Sequence, residues 1–386
     1  MKDPHSCPCL RRTILPPPSS AWREMEKGTA EKAIVVTYPD EFAKQEIVGL
    51  AEAAGYRVEA LVTQRRVVKS EYGVGVGKAE ELEGMVEEKG AKTIIIDESV
   101  TSAQANKLAA VAHAQVIDRE RLILNIFARR ATTAEAKLQV QLAELQYELP
   151  RARELVKIQV AREQAGFSGM GEYAVDVRFR DLKRRMSFVK AKLEKARTTK
   201  GVQSAERRKL DIPFVSLAGY TSSGKTTLFN RLASESKEES PKLFTTLATT
   251  TRAVSLPSRR RVLLSDTVGF ISRLPAYLVE SFRSTLEELR TADLVLLLVD
   301  VSEPAESVRI KFESCRDTLS ELEVDPQKML LVLNKVDLLE RGAGIEDDPL
   351  FEGFDAVRVS ATRGDGMRKL VNAISERTSR RTSEFR

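Results

Sequence analysis

The stretch "IPFVSLAGYTSSGKTTLFNRLA", residues 212–233, joins a continuous apolar run to a helix through a glycine-rich loop. The spacing Gly-x-x-x-x-Gly-Lys-Thr over 219–226, between a strand and a helix, is typical of a phosphate-binding loop. Its backbone N–H groups and the helix N-terminus cradle phosphates because both carry partial positive charge. In such a loop Lys225 bridges the β- and γ-phosphates, and the Thr226 hydroxyl binds Mg²⁺. The stretch therefore predicts an α/β nucleotide-binding domain, a P-loop fold with a doubly wound sheet.

A second phosphate-contacting segment is predicted where the next buried strand ends, in "RVLLSDTVGF", residues 261–270. Asp266 ends this strand and is expected to hold the magnesium ion, through water. The Gly269 N–H is expected to contact the γ-phosphate, so that the segment responds to hydrolysis. Many GTPases carry a glutamine next, which orients the attacking water, whereas Phe270 has no group that can do so. We therefore expect no general base within the chain, and hydrolysis that is slow without a partner.

Two short motifs that follow later strands, "NKVD" from Asn334 and "SAT" from Ser360, indicate that the base is guanine. The Asp337 carboxylate can accept hydrogen bonds from guanine N1–H and the 2-amino group, which adenine cannot offer. Asn334 is expected to tie this loop to the phosphate loop, the Lys335 stem to cover the base, and the Ala361 N–H to reach guanine O6. Together these loops predict binding of GTP and GDP.

A mobile threonine is expected in "PKLFTTLATTTR", residues 241–252, which lies between the first helix of this domain and Asp266. In GTPases such a threonine is ordered on Mg²⁺ and the γ-phosphate only in the GTP state. Five threonines are available in this segment, and their spacing alone does not choose among them.

The chain divides into three folded regions. Three strand–helix units predict a small N-terminal parallel α/β domain over 31–131. Apolar stripes with spacings of three and four residues predict two amphipathic helices over 132–205, joined at a glycine-rich tip as a long antiparallel helical hairpin. The strand–helix alternation returns in a GTPase domain over 206–381. We expect a disordered leader at 1–30 and a short tail at 382–386.

The net charge is +6, and the positive excess is concentrated in the second arm of the hairpin. Residues 176–211 contain thirteen Lys or Arg against five Asp or Glu. A basic arm of this kind typically binds a polyanion, and its length and flexible tip suit it to entering a crevice. Two alternatives stay open: a hairpin that only separates the domains, and a GTP-controlled switch that docks a protein partner through the hairpin.

The composition is that of a soluble protein of two or three domains, with 42% hydrophobic and 31% charged residues. No apolar run approaches the roughly 20 residues that span a bilayer, so no membrane span is expected. Three cysteines without a paired framework favour a reducing cytosol. We predict a cytoplasmic monomer.

A second glycine-rich segment, "GVGVGK" at 73–78, also opens a predicted helix and could contact phosphate. It lacks the full spacing of a phosphate-binding loop and a hydroxyl for magnesium, which favours a tight turn before the helix. A nucleotide enzyme within the N-terminal domain stays open as an alternative. Substitution of Lys225 separates the two, because hydrolysis that remained would have to come from elsewhere.

The segments "GYTSSGKTTLFNRL", "DTVGFISRLPAYLVESFRSTLEELRTADLVLLLVDVS" and "NKVD" closely resemble the HflX GTPases, relatives of the Obg group. The resemblance continues upstream through "GVGKAEELEGMV" and "VIDRERLILNIFARRATTAEAKLQVQLAELQYELPR" and covers about residues 31–380. It implies that Thr246 is the switch threonine and that Phe270 is a normal substitution of this class. It also implies association with the large ribosomal subunit, as in splitting or rescue of ribosomes, with the hairpin directed at the peptidyl-transferase region and its basic surface on ribosomal RNA.

The sequence departs from the family pattern at several positions. Ser222 stands where the family commonly has an asparagine that, in related GTPases, holds an activating potassium ion. Ala248 and Thr249 replace the Asp-Pro that follows the switch threonine, and the tip "GMGEYAVD" keeps only part of the usual motif. Stimulation by potassium is therefore not predicted, and the tip is expected to make different contacts.

The predicted site combines the motifs and the resemblance. The predicted catalytic groups are the phosphate and magnesium stabilisers Lys225, Thr246 and Gly269, and the predicted magnesium ligands are Thr226, Thr246 and Asp266. The predicted nucleotide-binding residues lie on loops that follow strands or a helix: Gly219, Tyr220, Thr221, Ser222, Ser223, Gly224, Lys225, Thr226, Thr227, Phe244, Thr245, Thr246, Asp266, Thr267, Val268, Gly269, Asn334, Lys335, Asp337, Ser360, Ala361 and Thr362.

Overall fold

The structure of the chain is a computed structural model. It describes residues 30–65, 70–162, 170–209, 212–234, 244, 250–257, 260–339 and 348–384. Residues 1–29 of the predicted leader and the first part of the glycine-rich tip lie outside the described residues.

The N-terminal region is a four-stranded parallel sheet in the order β2-β1-β3-β4. The three predicted strand–helix units are present, and a fourth unit, which was not predicted, completes the sheet. Its strand has four residues and a helix begins at the next residue, so the apolar pattern of the strand is too short to be separated from that of the helix. The elements are β1 (Glu31–Thr37), α1 (Glu41–Ala53), β2 (Tyr56–Thr63), α2 (Val76–Lys89), β3 (Thr93–Ile96), α3 (Ser102–Ala112), β4 (Gln115–Asp118) and α4 (Arg119–Arg130).

Local side-chain chemistry sets the ends of these helices. Asp40 accepts a hydrogen bond of 2.7 Å from the Ala43 N–H at the start of α1, and Thr101 forms a capping box with Gln104 at the start of α3. Gly90 ends α2 in the left-handed conformation, with φ of +62°. These signals depend only on neighbouring residues in the chain.

The predicted helical hairpin consists of α5 (Ala134–Arg162) and α6 (Met170–Lys209). Because only residues 163–169 connect two long helices that pack together, the helices must be antiparallel. The second arm, α6, has 40 residues, or roughly 60 Å at about 1.5 Å per residue. The helix continues without a break through the glycines at 171 and 201, and it extends past residue 205, where the hairpin was predicted to end. The apolar seam consists of Leu142, Leu145, Ala152, Leu182 and Val189.

Asp118 joins the base of the hairpin to the N-terminal sheet. Its Oδ1 caps α4 through the Arg121 N–H at 2.8 Å and accepts a hydrogen bond of 3.1 Å from the Tyr147 hydroxyl. Its Oδ2 pairs with Arg151, whose guanidinium lies 3.5 Å from the centre of the Tyr147 ring. Burial raises the pKa of Asp118, although Arg151 opposes the shift. The carboxyl end of β4 therefore anchors α5.

The GTPase region is a six-stranded sheet in the order β10-β9-β8-β5-β7-β6. Five of its strands are parallel and belong to the predicted strand–helix alternation, whereas β6 is antiparallel to β7. Its sequence "TTRAVS" is polar because it forms an exposed edge, so backbone pairing with β7 and not an apolar pattern defines it. The elements are β5 (Phe214–Gly219), α7 (Lys225–Ala233), β6 (Thr250–Ser255), β7 (Arg261–Asp266), α8 (Ala276–Ser281), α9 (Arg283–Thr291), β8 (Leu294–Asp300), α10 (Ala305–Glu321), β9 (Met329–Asn334), β10 (Ala356–Arg358) and α11 (Met367–Glu384).

The parallel strands of this sheet end at one edge. The loops that follow β5, β7, β9 and β10 therefore meet there, as expected at the carboxyl edge of an open α/β sheet. The last helix, α11, continues through Glu384 into the predicted tail. None of the helices in the described ranges combines the length and apolar character that crossing a bilayer requires.

Candidate nucleotide site

Two glycines determine the shape of the phosphate loop between β5 and α7. Gly224 has φ of +94°, and a Cβ there would lie 2.3 Å from Asn334 Nδ2. A Cβ at Gly219, whose φ is +148°, would lie 2.5 Å from the carbonyl oxygen of Leu298. Both positions therefore exclude a side chain, and the loop turns directly from the sheet into α7, which begins at Lys225.

The Lys225 side chain lies over this loop. Its ammonium donates hydrogen bonds to the carbonyl oxygens of Gly219 at 2.9 Å and Tyr220 at 2.6 Å, and the residue is 7% exposed. Burial lowers the pKa of Lys225 to about 8, while the nearby Asp266 carboxylate opposes the shift. A buried cation that is incompletely neutralised favours an anionic ligand at this loop.

Oxygen atoms suited to a divalent cation meet beside the loop. The Thr226 hydroxyl donates a hydrogen bond of 3.2 Å to Asp266 Oδ2, and Asp266 is fully buried. Hydroxyl and carboxylate oxygens are the ligands that Mg²⁺ prefers. The hydroxyls of Thr221 and Ser223 are also buried, and within the described ranges neither finds a hydrogen-bond partner. A polar ligand in the loop can offset this cost, about 1–3 kcal/mol per group. The residues present therefore fit a magnesium nucleotide.

Asn334 connects three of the predicted loops. Its Nδ2 donates to the carbonyl oxygen of Ser223 at 2.8 Å, and its Oδ1 accepts from the Ala361 N–H at 3.0 Å. The following residue, Lys335, has φ of +66° and pairs through its ammonium with Asp300. Asp337 lies in a short 3₁₀ helix, and its side chain is 12% exposed. The predicted link between the "NKVD" loop and the phosphate loop is thus a specific hydrogen bond.

Asn334→Ala is expected to lower the free energy of unfolding by about 2–4 kcal/mol and to weaken GDP binding by about tenfold or more, because it leaves two buried backbone groups unsatisfied. Urea unfolding and calorimetric titration with GDP measure these effects. Asn372→Ala, on the exposed side of α11, is the matched control and should change neither. Unchanged stability and GDP affinity in the Asn334 variant would contradict the role of the side chain as a link.

The segment after Asp266 lies directly against the phosphate loop. The Phe270 N–H donates to the carbonyl oxygen of Gly219 at 3.0 Å, and the Phe270 carbonyl accepts from the Thr221 N–H at 2.8 Å. A Cβ at Gly269 would lie 3.0 Å from Lys225 Nζ. The structure therefore brings Gly269 and Lys225 close together. The sequence analysis expects both residues to contact the γ-phosphate.

Phe270 is 2% exposed and belongs to an apolar cluster. The cluster also contains Phe244 and Phe127, whose ring centres are 4.9 Å apart. Phe127 lies on α4 of the N-terminal region, so the ring at position 270 serves packing between regions and not water activation. Because the Phe244 side chain lies in this cluster, any contact of that residue with a nucleotide is made by its backbone.

The predicted switch segment is described only in part. Thr245 and Thr246 lie outside the described residues. Of the five candidate threonines, Thr250 and Thr251 belong to β6, where they pair with Asp266 and Ser265 of β7. Pairing in a sheet is incompatible with the mobility that a switch threonine needs, which leaves the candidates at 245, 246 and 249.

Arg231, in the last turn of α7, is a site residue that the sequence analysis missed. Its Nε donates to the carbonyl oxygen of Ala361 and its Nη2 to that of Thr362, both at 2.5 Å. Ser360 accepts from the Arg363 N–H at 2.9 Å, which closes the same turn. A basic residue at a helix end is common, so nothing in the sequence indicates that this one holds the "SAT" loop.

Three consecutive stretches of the chain match known protein families. Residues 42–128 match the family described as GTP-binding GTPase N-terminal, and residues 130–207 match GTP-binding GTPase Middle Region. Residues 214–335 match the family described as 50S ribosome-binding GTPase. The matches follow one another in the order of the sheet, the hairpin and the second sheet.

Similarity to individual proteins extends over most of the chain. The chain is 39% identical over 345 residues to GTPase HflX of Thermococcus kodakarensis, and the alignment covers 87% of this chain and 78% of the relative. It is 35% identical over 337 residues to GTPase HflX of Escherichia coli, with coverage of 87% and 79%. The chain belongs to the HflX family of GTPases. As an HflX protein it is an enzyme that binds GTP and hydrolyses it to GDP and phosphate.

A solved structure supports the same fold for this HflX chain. The crystal structure of SsGBP in complex with GDP is similar with a TM-score of 0.53 at 25% identity, and the match covers 91% of this chain and 99% of that one. The predicted fold class is therefore confirmed: a P-loop GTPase sheet, a smaller parallel α/β region and a long helical hairpin.

Proposed function

We propose that this HflX GTPase binds GTP with Mg²⁺ at the loops that contain Gly219, Asp266, Asn334 and Ser360. The observation that carries the proposal is the Asn334 side chain, which joins the phosphate loop to the "SAT" loop. With these loops held together, a nucleotide bound by its phosphates presents its base to Asp337. The carboxylate then accepts two hydrogen bonds that only guanine donates in this arrangement.

Each charged or hydroxyl group has one role in this site. Lys225 neutralises the β- and γ-phosphates, and Gly269 offers its N–H to the γ-phosphate. Thr226 and Asp266, together with the switch threonine Thr246, hold the magnesium ion. When bound, the ion neutralises charge that develops on the phosphate oxygens during transfer to water.

Hydrolysis by the isolated protein is slow in this proposal. The Phe270 ring is buried in an apolar cluster and offers no group to orient water. Catalysis then depends on electrostatic stabilisation by Lys225, the Gly269 N–H and magnesium. A partner that holds the switch threonine on the ion and the γ-phosphate would accelerate the reaction.

The large ribosomal subunit is the proposed partner. The match of residues 214–335 to the 50S ribosome-binding GTPases supports this, as does the charge of α6. A polyanion such as ribosomal RNA is attracted to a basic helix by counterion release, which makes binding steeply salt-dependent. We further propose a cytoplasmic monomer with regions at 31–131, 132–205 and 206–381.

The outer face of α6 has the chemistry of an RNA contact. Phe188 is 61% exposed, and the Lys192 ammonium lies 4.4 Å from the centre of its ring. One turn earlier on the same face, the Arg184 side chain is 83% exposed and pairs with Asp181 at 3.0 Å. An exposed ring between cations provides stacking for a base and neutralisation for phosphates, as single-stranded RNA requires.

The test is steady-state GTP turnover with and without purified large ribosomal subunits. We expect at least about tenfold stimulation by the subunits, because partner-ordered electrostatics contribute factors of this size or more. The charge-reversal variant Arg184→Glu/Lys192→Glu should lose most of the stimulation and keep its basal turnover. The control variant Arg309→Glu/Arg316→Glu reverses the same number of charges on α10 and should retain the stimulation by the subunits.

The outcomes separate the candidate functions. Loss of stimulation in the α6 variant but not in the α10 variant supports an RNA contact at the hairpin. Turnover that stays slow with subunits present would contradict the ribosomal role. Retained GTPase activity with hairpin-dependent binding of a protein, insensitive to salt, would instead favour the protein-docking switch.

A further inference from the structure

A buried charged cluster lies at the carboxyl edge of the N-terminal sheet. Arg119, the first residue of α4, donates from Nη1 to Asp97 Oδ1 at 2.7 Å and from Nη2 to Glu46 Oε2 at 2.6 Å. The three side chains are between 0% and 4% exposed. Asp97 also accepts from the Thr37 hydroxyl at 2.6 Å. The cluster occupies the place where open α/β sheets ordinarily bind ligands.

The cluster extends into the GTPase region through three residues: Tyr220, Ser272 and Arg273, whose Nη2 donates to both carboxylate oxygens of Asp97 at 3.0 Å. The Ser272 hydroxyl donates to Glu46 Oε2 at 2.5 Å, and the Ser272 N–H lies 3.0 Å from Glu46 Oε1. Arg119 Nη2 donates to the carbonyl oxygen of Ser272 at 2.9 Å. The Tyr220 hydroxyl donates to Glu46 and lies 2.6 Å from the Ser272 N–H as its acceptor. Glu46 and Arg119 thus hold both the backbone and the side chain of Ser272.

The contacts within this cluster stabilise the ionised carboxylate of Glu46 and the protonated hydroxyl of Tyr220. Burial acts to raise the pKa of Glu46, but the Arg119 guanidinium and the hydrogen bonds from Ser272 and Tyr220 hold it below its ordinary value. Burial and the adjacent carboxylate raise the pKa of Tyr220 well above its ordinary value, so its hydroxyl remains a donor. These side chains therefore hold Ser272 and Tyr220 in one geometry.

Both held residues belong to segments of the proposed nucleotide site. Tyr220 follows Gly219 in the phosphate loop, and Ser272 comes three residues after Gly269. We propose that Glu46 and Arg119 are positioning residues for GTP hydrolysis, which fix the Gly269 N–H relative to the phosphate loop from the N-terminal region. The inference rests on the proposed nucleotide site and adds a pair of residues outside the GTPase region to it.

A positioning role for Glu46 and Arg119 has different consequences from a role that only joins the two regions. A purely structural contact changes stability, and any effect on activity follows the loss of folded protein or of nucleotide binding in general. A positioning contact changes the step in which the γ-phosphate is transferred. GDP lacks that phosphate, so binding of GDP should depend much less on where the Gly269 N–H lies.

The experiment uses Tyr220→Phe, which removes only the hydroxyl. In the full chain we expect kcat for GTP to fall about 10- to 100-fold, which is the size expected for loss of a hydrogen bond to a charged group. The Kd for GDP should change by less than about threefold, since the remaining phosphate-loop and base contacts are kept. Glu46→Gln changes the other partner of the Tyr220–Glu46 hydrogen bond, which lies in the N-terminal region. The kcat of the double variant should be no lower than that of the more impaired single variant, because both substitutions act on the same Tyr220–Glu46 hydrogen bond.

Two further variants serve as references. Thr93→Val removes a buried hydroxyl that donates to Glu31 at 2.5 Å, at the amino end of the same N-terminal sheet. It should leave kcat unchanged, and urea unfolding reports whether each variant is folded. Lys225→Ala tests the nucleotide site itself: if hydrolysis survives that change, the proposed site fails, whatever the effect at Tyr220.

With Lys225→Ala inactive, the remaining results decide the inference. A fall in kcat at nearly constant GDP affinity, in Tyr220→Phe and Glu46→Gln alike, supports it. A kcat within about twofold of the parent in both folded variants would overturn it. A parallel fall in kcat and GDP affinity, or an equal loss of kcat in Thr93→Val, would show that the cluster acts through general stability.

Discussion

Lys225→Ala is expected to reduce kcat/KM for GTP hydrolysis by about 10²- to 10³-fold, which is the loss typical for a missing transition-state stabiliser. The Lys225 ammonium lies buried against the phosphate loop, and the Asp266 carboxylate is its close neighbour. Without this cation, less positive charge offsets the repulsion between the phosphate oxygens of GTP and the Asp266 carboxylate. Steady-state release of phosphate, with saturating Mg²⁺, measures the effect.

Lys78→Ala is the matched control for this change. Lys78 is the lysine of "GVGVGK"; it lies in the first turn of α2 and pairs with Glu81 at 3.0 Å. The structure confirms that this segment opens a helix, since α2 begins at Val76. Its replacement should leave turnover unchanged. The reverse pattern, with Lys78 essential and Lys225 dispensable, would place the enzyme in the N-terminal sheet and overturn the proposed site.

Asp337→Asn is expected to weaken GTP binding by about 10²- to 10⁴-fold, because two hydrogen bonds to a charged acceptor are lost at about 1.5–3 kcal/mol each. The amide presents a donor where the carboxylate presented an acceptor. Xanthosine triphosphate carries a carbonyl in place of the 2-amino group, so it offers an acceptor to that new donor. We therefore expect the variant to prefer xanthosine triphosphate over GTP.

Turnover with both nucleotides, at several concentrations, measures this change of specificity. A matched control is Asp355→Asn, which alters a carboxylate that is 78% exposed and paired with Arg377. It should leave the preference for GTP unchanged. Equal loss of activity with both nucleotides in the Asp337 variant would mean that the side chain supports the loop and does not read the base.

Much of the nucleotide site could be predicted from the sequence because its determinants are local. The phosphate loop needs glycine at 219 and 224, where the backbone has positive φ and no room for a Cβ. Lys225 and Thr226 follow within the same turn of chain, so their relative positions depend little on distant residues. Asp266 and Asn334 end buried parallel strands, and such strands bring their carboxyl ends to one edge.

Elements with weak local signals were missed or misjudged. The fourth N-terminal strand has four residues, and β6 is a polar edge strand defined by its pairing with β7. The second arm of the hairpin continues through two glycines to Lys209, although glycine has low helix propensity. For the two strands, pairing with a neighbouring strand decides the outcome.

The sequence by itself determined the nucleotide, the order of the three regions and the family, because short motifs with fixed spacing encode them. Only the tertiary structure decided that Phe270 and Phe127 belong to one apolar cluster, and that Glu46 and Arg119 meet Ser272 and Tyr220. Glu46 and Ser272 are 226 residues apart in the chain. No periodicity or motif relates two such positions, since their contact arises when two separately encoded sheets pack with their carboxyl edges together.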